Sequence, residues 1–303
     1  MHFVKKIFPS IIIFLTISVL SYCQQPTGPK PKDPSRNIFY IKIYGGYGIL
    51  TPGSNFLTAS TSSVGGGSNS SFTSSKIGLG AGLHFGGGLG FILNDFLNVG
   101  VDAEYIKARD ISISSTYANS PYYSSFSQLL THTVLSIIPN ITFKALSKPT
   151  YYFYTRIGVV IAVTTNLETT SRDSTFNASG GNTYVYLTDG DQKFTYNINI
   201  GAQVAVGVQF RITQMLRGLV EVSGNYLPAS PTASTTTFKN QYIVNGGAPA
   251  TGNYNYNFTY SKSGSDDFQS STSGNTTTAS ETLPKITHNI NYIGLNVGLV
   301  IRL

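Results

Sequence analysis

One stretch constrains the fold more than any other. From Ile77 to Phe91 the chain alternates between an apolar set and a nearly bare one. Ile77, Leu79, Ala81, Leu83, Phe85, Leu89 and Phe91 oppose Gly78, Gly80, Gly82, Gly86, Gly88 and Gly90, and His84 stands among the glycines. An extended strand sorts its side chains onto two faces with a period of two. A helix would spread both sets around its circumference. The segment therefore predicts a strand, greasy on one face and open to close approach on the other.

Seven further segments repeat the pattern. In 38–50, Phe39, Ile41, Ile43, Tyr47 and Ile49 oppose Tyr40, Lys42 and Tyr44. In 97–108, Leu97, Val99, Val101, Ala103 and Tyr105 oppose Asn98, Asp102 and Glu104. In 129–143, Leu135, Ile137, Ile141 and Phe143 oppose His132, Ser136 and Asn140. In 151–164, Ile157, Val159, Ile161 and Val163 oppose Tyr154 and Arg156. The segment 195–212 sets Tyr196, Ile198, Ile200, Val204, Val206, Val208 and Phe210 against Asn197, Asn199, Gln203, Gln209 and Arg211. The segments 218–227 and 287–303 close the series, with Val220, Val222 and Tyr226 against Glu221, Ser223 and Asn225, and Ile293, Leu295, Val297, Leu299, Ile301 and Leu303 against Tyr292, Asn296 and Arg302.

Eight strands are thus expected, joined by short links near 93–96, 145–150 and 213–217 and longer ones near 51–75, 109–127, 165–194 and 228–286. An even strand count with alternating short and long connections is the pattern of an antiparallel transmembrane β-barrel with short periplasmic turns and long outer loops. The strands exceed the roughly 10 residues that cross a bilayer, so the barrel should project beyond the outer surface. Two segments raise ten strands as the alternative: 253–260, with Tyr254, Tyr256, Phe258 and Tyr260 on one face, and 184–196, which carries the hairpin-turn pair Asp189-Gly190. Neither has an aliphatic stripe, and both read as hairpins above the membrane. A soluble lipocalin-like barrel would turn the apolar stripes inward and show water a face of glycines, a poor soluble exterior.

The N-terminus agrees with export. Lys5 and Lys6 precede the apolar run Ile7–Leu20, and Ser21-Tyr22-Cys23 offers small residues for cleavage before Gln24, so residues 1–23 read as a signal peptide. Cys23 is also open to lipidation as the first residue of a lipobox-like Leu20-Ser21-Tyr22-Cys23, although the large Tyr22 departs from that pattern. Residues 24–37 hold four prolines and read as an extended periplasmic linker, leaving 38–303 for the barrel. Only 11% of the 303 residues are charged, and the chain holds 31 Gly and 20 Tyr but no Trp. Soluble domains carry about 25% charged residues. Cleavage would remove Lys5 and Lys6 and no acid, lowering the formal charge from +7 to +5, too small and scattered for nucleic-acid binding.

The polar faces carry the candidate site residues. Lys42, Asp102, Glu104, Arg156 and Glu221 fall at similar heights above the periplasmic end and are expected to meet as an ion-paired plug, because an eight-stranded barrel is only wide enough for its own side chains. His84, His132 and Gln203 are expected to line the same interior. The histidines lack metal-ligand spacing, no serine is marked as a nucleophile, and no cofactor is implied. Lys144, Lys148, Arg211, Arg217 and Arg302, with Lys30, Lys32 and Arg36 of the linker, gather at the periplasmic rim, where anionic headgroups are the expected partner. The long loops are rich in Tyr, Ser, Gly, Asn and Thr, a composition suited to adaptable contact.

The signal, the eight alternating segments and the apolar-alternating final strand together resemble the OmpA/OmpX-like outer-membrane β-barrel family, over about residues 38–303 and by architecture. The resemblance implies a Gram-negative-type outer membrane, surrounding lipid, and delivery to the barrel-assembly machinery through the last strand. That strand ends in Leu303 where the family has an aromatic residue. The function expected is non-enzymatic: a structural or surface-interaction role through the outer loops, toward an extracellular ligand that the residues do not name. The alternatives are a narrow porin or hydrophobic-solute channel and a lipid-modifying barrel enzyme.

Overall fold

The computed structural model describes residues 38–50, 54–60, 72–77, 79–119, 122–145, 148–261 and 265–303. The signal segment, Cys23 and the linker with Lys30, Lys32 and Arg36 lie outside the described residues. The protein is all-β. Its strands are β1 (Phe39–Leu50), β2 (Ser54–Ser60), β3 (Phe72–Ile77), β4 (Gly82–Ile92), β5 (Leu97–Ala108), β6 (Ile111–Asn119), β7 (Tyr122–Ala145) and β8 (Tyr151–Ser179). They continue with β9 (Asn182–Tyr196), β10 (Asn199–Arg211), β11 (Leu216–Ala229), β12 (Pro231–Val244), β13 (Ala250–Ser261), β14 (Ser265–Ser273), β15 (Thr276–Pro284) and β16 (His288–Arg302).

The strand pairings return on themselves. β1 pairs with β4, β4 with β5, and β5 with β7. β7 pairs with β8, β8 with β10, β10 with β11, and β11 with β16. β16 then pairs with β1, Tyr40 opposite Arg302. Every step is antiparallel, and each backbone edge in this circuit is used by a neighbour.

The two faces of the circuit are chemically opposite. Ile43, Leu89, Val101, Ile141, Val159, Ile200, Val222 and Leu295 all point outward and are exposed. Lys42, Asp102, Asn140, Arg156, Gln203, Glu221 and Asn296 point inward and are buried. Phe91 and Phe143 are exposed near the lower end of the outward face, and Phe39 meets Phe91 edge to face at 5.3 Å. The glycine face of β4 is filled from its two neighbouring strands, by Tyr40 and Tyr44 of β1 and Asp102 of β5. A Cβ at Gly88 would strike the Asp102 carboxylate, and one at Gly86 would strike the Tyr44 ring.

The start of that strand departs from the expected alternation. Leu79 is fully buried and Ala81 is nearly so, in place of an outward position beside Leu83. Gly82, at φ +151°, turns the strand over. Leu79 then joins an upper interior cluster with Ile106, Leu130, Leu167, Leu227 and Ile290. The segment 195–212 is likewise two strands. Tyr196 ends β9, half-buried, instead of standing on the apolar outer face.

Above the circuit, the segments expected as loops are largely strand. β7 and β8 run on for 24 and 29 residues. Their upper halves pair with β6 and β9, and β9 then pairs with β12 and β12 with β13. β13 pairs in parallel with β15, and β14 forms the far edge. Asp189-Gly190 lies inside β9, not at a turn; the β8–β9 hairpin turns at Gly180-Gly181, both at positive φ. The pair fails as a turn because both residues are held in the ladder, Asp189 opposite Arg172 and Lys239, Gly190 opposite Ser171 and Phe238.

The close packing at Gly88 is testable. Gly88→Val should destabilise the folded protein by about 1–3 kcal/mol, the usual cost of overpacking. Gly224→Ala, where an added Cβ meets nothing nearer than 4.0 Å, should be neutral. Urea titration of the folded protein in lipid vesicles gives both numbers.

Candidate functional site

The interior is organised around Arg156. Alternation on β8 points it inward, between Asp102 on β5 and Glu221 on β11. Its Nη2 lies 2.6 Å from Glu221 Oε1 and its Nε donates to Glu221 Oε2 at 3.1 Å, a two-pronged fork. Its Nη1 reaches Asp102 Oδ2 at 2.9 Å and Gln203 Oε1 at 2.8 Å. Lys42 Nζ sits on the same Asp102 oxygen at 2.7 Å. Lys42, Asp102, Arg156 and Glu221 therefore form one buried chain of ion pairs.

Glu104, expected in the same chain, is held differently. No cation contacts it among the described residues. It accepts from the Tyr292 hydroxyl at 2.7 Å, from the Tyr44 hydroxyl at 3.1 Å and from Gln203 Nε2 at 3.5 Å. Tyr154 donates to Glu221 at 2.9 Å. These inward tyrosines are the partners that sequence reasoning missed. Their signal was present in Tyr40, Tyr44, Tyr154 and Tyr292, each lying opposite an apolar stripe. Hydroxyl tips on rigid rings satisfy buried carboxylates without adding charge.

The void beside Tyr40, Lys42, Arg156 and Gln209 measures about 10 Å³, room for about one water. His84 and His132, expected to line this interior, lie at its upper end. A His84 ring nitrogen lies 3.1 Å from the Gly80 carbonyl and its ring packs on Tyr292; His132 Nδ1 lies 2.9 Å from the Leu79 carbonyl. Both thus fasten the turn where the chain switches faces. No cluster of metal-ligating side chains occurs among the described residues.

The lower end gathers cations, but not in the expected orientation. Lys144, Arg217 and Arg302 turn inward around Tyr152, with their charges 5.6, 5.3 and 5.7 Å from its ring. Strand register requires this: Arg217 alternates with Leu219 and Glu221, and Arg302 with Val300, all on the inner face. These three charges are thus set against the Tyr152 ring on the inner face. Lys148 lies over the Tyr151 ring at 5.5 Å, and Arg211 is exposed, opposite Arg217.

At the upper end, above the apolar stripe of β16, His288 Nδ1 lies 2.5 Å from the Tyr196 hydroxyl and its ring meets Phe194 edge to face. Burial lowers its pKa to about 4.

No protein-family model matches the chain, and no curated protein matches it. Among solved structures the chain is similar to Acinetobacter baumannii CarO, 11% identical over 90% of this chain and 100% of that one, with a TM-score of 0.29. A Pseudomonas aeruginosa FadL homologue is 7% identical over 88% of this chain and 89% of that one, with a TM-score of 0.15. Vibrio cholerae OmpT lacking its loop L8 is 7% identical over 87% of this chain and 97% of that one, with a TM-score of 0.09. Likeness this faint carries no argument about activity.

Two measurements test the site. Arg156→Met leaves Glu221 and part of Asp102 buried without a cation and should cost about 3–5 kcal/mol; Arg156→Met with Glu221→Gln should recover part of it in the same urea titration. His288 binds its proton less readily folded than unfolded, so its contribution is complete above about pH 6.5 and is lost as pH falls toward 4. Stability at pH 5 should be lower than at pH 7.5 by about 2 kcal/mol from this group, and His288→Gln should flatten that part of the slope.

Proposed function

We propose that the chain is an eight-stranded transmembrane β-barrel of a bacterial outer membrane, closed to solute flow, that acts at the cell surface through its outer sheet. The observation that carries this reading is the inversion of the circuit. Apolar side chains cover its outside, while charges pair inside it. Water would penalise such an exterior, since exposed apolar patches on soluble proteins rarely exceed a few hundred Å². Lipid rewards it, and a closed antiparallel ring leaves no unpaired edge in the hydrocarbon. The circuit's eight members are β1, β4, β5, β7, β8, β10, β11 and β16. β9 and β13, the extra strands of a ten-stranded alternative, pair outside it.

The filled interior supports a closed barrel over a narrow channel. The upper halves of β7 and β8, with β9, β12 and β13, stand above the lipid-facing region as a paired sheet, a support for recognition. In planar bilayers the folded protein should show no steady single-channel conductance; sustained conductance abolished by Lys42→Met would overturn the closed reading. For the surface role, β12 to β15 can be replaced by a short turn, because Ala229 and His288 are register partners. Bacteria displaying the full chain should attach to glycoprotein-coated surfaces, and bacteria displaying the shortened, folded chain should lose that attachment. Equal attachment by the two would sink the surface role.

A further inference from the structure

The lower end of the circuit concentrates charge of one sign. Arg211 and Arg217 are register partners on β10 and β11, and alternation with Gln209 and Leu219 sets both on the inner side. Like charges directly opposite each other in a ladder destabilise it. Arg217 and Arg302 also share the Tyr152 ring, at 5.3 and 5.7 Å, with Lys144 at 5.6 Å. The charges that act most on Arg217 are those of Arg302 and Arg211, both cations.

Among the described residues no carboxylate lies within ion-pair distance of Arg211 or Arg217. Deeper in the interior the cations are answered, Lys42 by Asp102 and Arg156 by Asp102 and Glu221. Even on the exposed outer sheet, Arg172 and Lys193 have carboxylates at 3.1 and 2.9 Å. Arg217 Nε and Nη1 are shielded from water and donate to nothing, so Arg217 has given up solvent without gaining an acceptor there. The Tyr152 ring attracts cations by its quadrupole, but it carries no net charge and cannot neutralise them.

The cluster is held from behind. The Tyr152 hydroxyl donates to Gln209 Oε1 and accepts from Arg302 Nη2 at 3.3 Å. The void that Tyr152 and Arg302 line above it holds about 10 Å³, too little for more than a water. A ligand therefore stops at the mouth, where Arg211 is exposed and Arg217 and Arg302 are part-buried, each with surface open to solvent.

The arginines select a chemistry. A guanidinium presents a planar fork of donors that matches an oxyanion, and phosphate above all. Several cations in one place favour a group of more than one negative charge over a monocarboxylate, and a neutral ligand would leave their repulsion unrelieved. We infer that the lower mouth of the circuit binds a phosphate group, held by the solvent-open parts of Arg211, Arg217 and Arg302. The inference is independent of the surface role, which concerns the opposite end. Soluble phosphate compounds and lipid headgroups both carry the group, and the test separates them.

The chain is folded in phosphatidylcholine nanodiscs and titrated by calorimetry, at low salt, with inorganic phosphate, pyrophosphate and acetate. Phosphate should bind with a Kd of about 1 mM, pyrophosphate more tightly, and acetate about tenfold more weakly than phosphate. Arg211→Gln and Arg217→Gln should each weaken pyrophosphate binding about tenfold, and Lys239→Gln, an exposed cation of the outer sheet, should leave it unchanged. Arg211 is exposed at a strand end, so its replacement reads the site even where Arg217→Gln fails to fold. The inference is overturned by absence of heat from both phosphate and pyrophosphate, by acetate binding as tightly as phosphate, or by Arg211→Gln binding as the parent does. An equal loss in Lys239→Gln also overturns it, because diffuse charge would then suffice. Native mass spectrometry from mixed phosphatidylglycerol and phosphatidylcholine discs names the source once binding is seen. Phosphatidylglycerol retained by the parent and lost in Arg211→Gln supports the site as one for a headgroup; no lipid retained by either supports it as one for a soluble phosphate compound.

Discussion

Arg156 is the constraint on which the interior depends. A guanidinium cannot shed its charge and is costly to bury alone. Its fork onto Glu221 and its contact with Asp102 tie β8 to β11 and β5 across the interior. Lys42 then ties β1 to β5 through the same Asp102 oxygen. Four strands that are not all neighbours are thereby fixed at one height. A register slip of one residue would turn every inward charge toward the apolar exterior, so the ion pairs and the outward stripes specify the same alignment.

Bare backbone makes that arrangement possible. A ring this narrow could not hold Tyr40, Tyr44, Arg156 and Tyr292 together if every strand contributed bulk. β4 contributes glycine on its inner face, and the tyrosines and Asp102 occupy the space so left. The tyrosines in turn bond Glu104 and Glu221. Sheet, filler and charge are therefore parts of one solution to burying polar groups inside a closed wall.

This part of the molecule was legible in the sequence because its outer and inner faces carry opposite chemistry. Along β5, Val101 and Tyr105 against Asp102 and Glu104 leave one orientation. The signal fails wherever both environments accept the same residue. Leu79 and Ala81 are apolar and suit either side; the conformation of Gly82 decides their direction. It fails again above the eight-strand circuit, where neither face carries an aliphatic stripe. β12 and β13 are built from Thr, Asn, Tyr and Ser on both faces, and such strands read as loops. The parallel pairing of β13 with β15 joins segments across a β-turned excursion, which no local pattern announces. The inward turn of Arg217 and Arg302 follows from register, but their basic character alone suggested the membrane surface.

The pairing of β1 with β16 has a consequence for how the chain acquires its fold. Tyr40 and Arg302 are adjacent in space but separated by nearly all of the described sequence. Closing so long a loop is entropically slow, and little rewards it until the final strand is in place. A partly paired chain would hold unpaired strand edges and carboxylates with no arginine opposite. The β1–β16 seam is thus the contact of greatest sequence separation in the circuit, and the one that chain entropy opposes most.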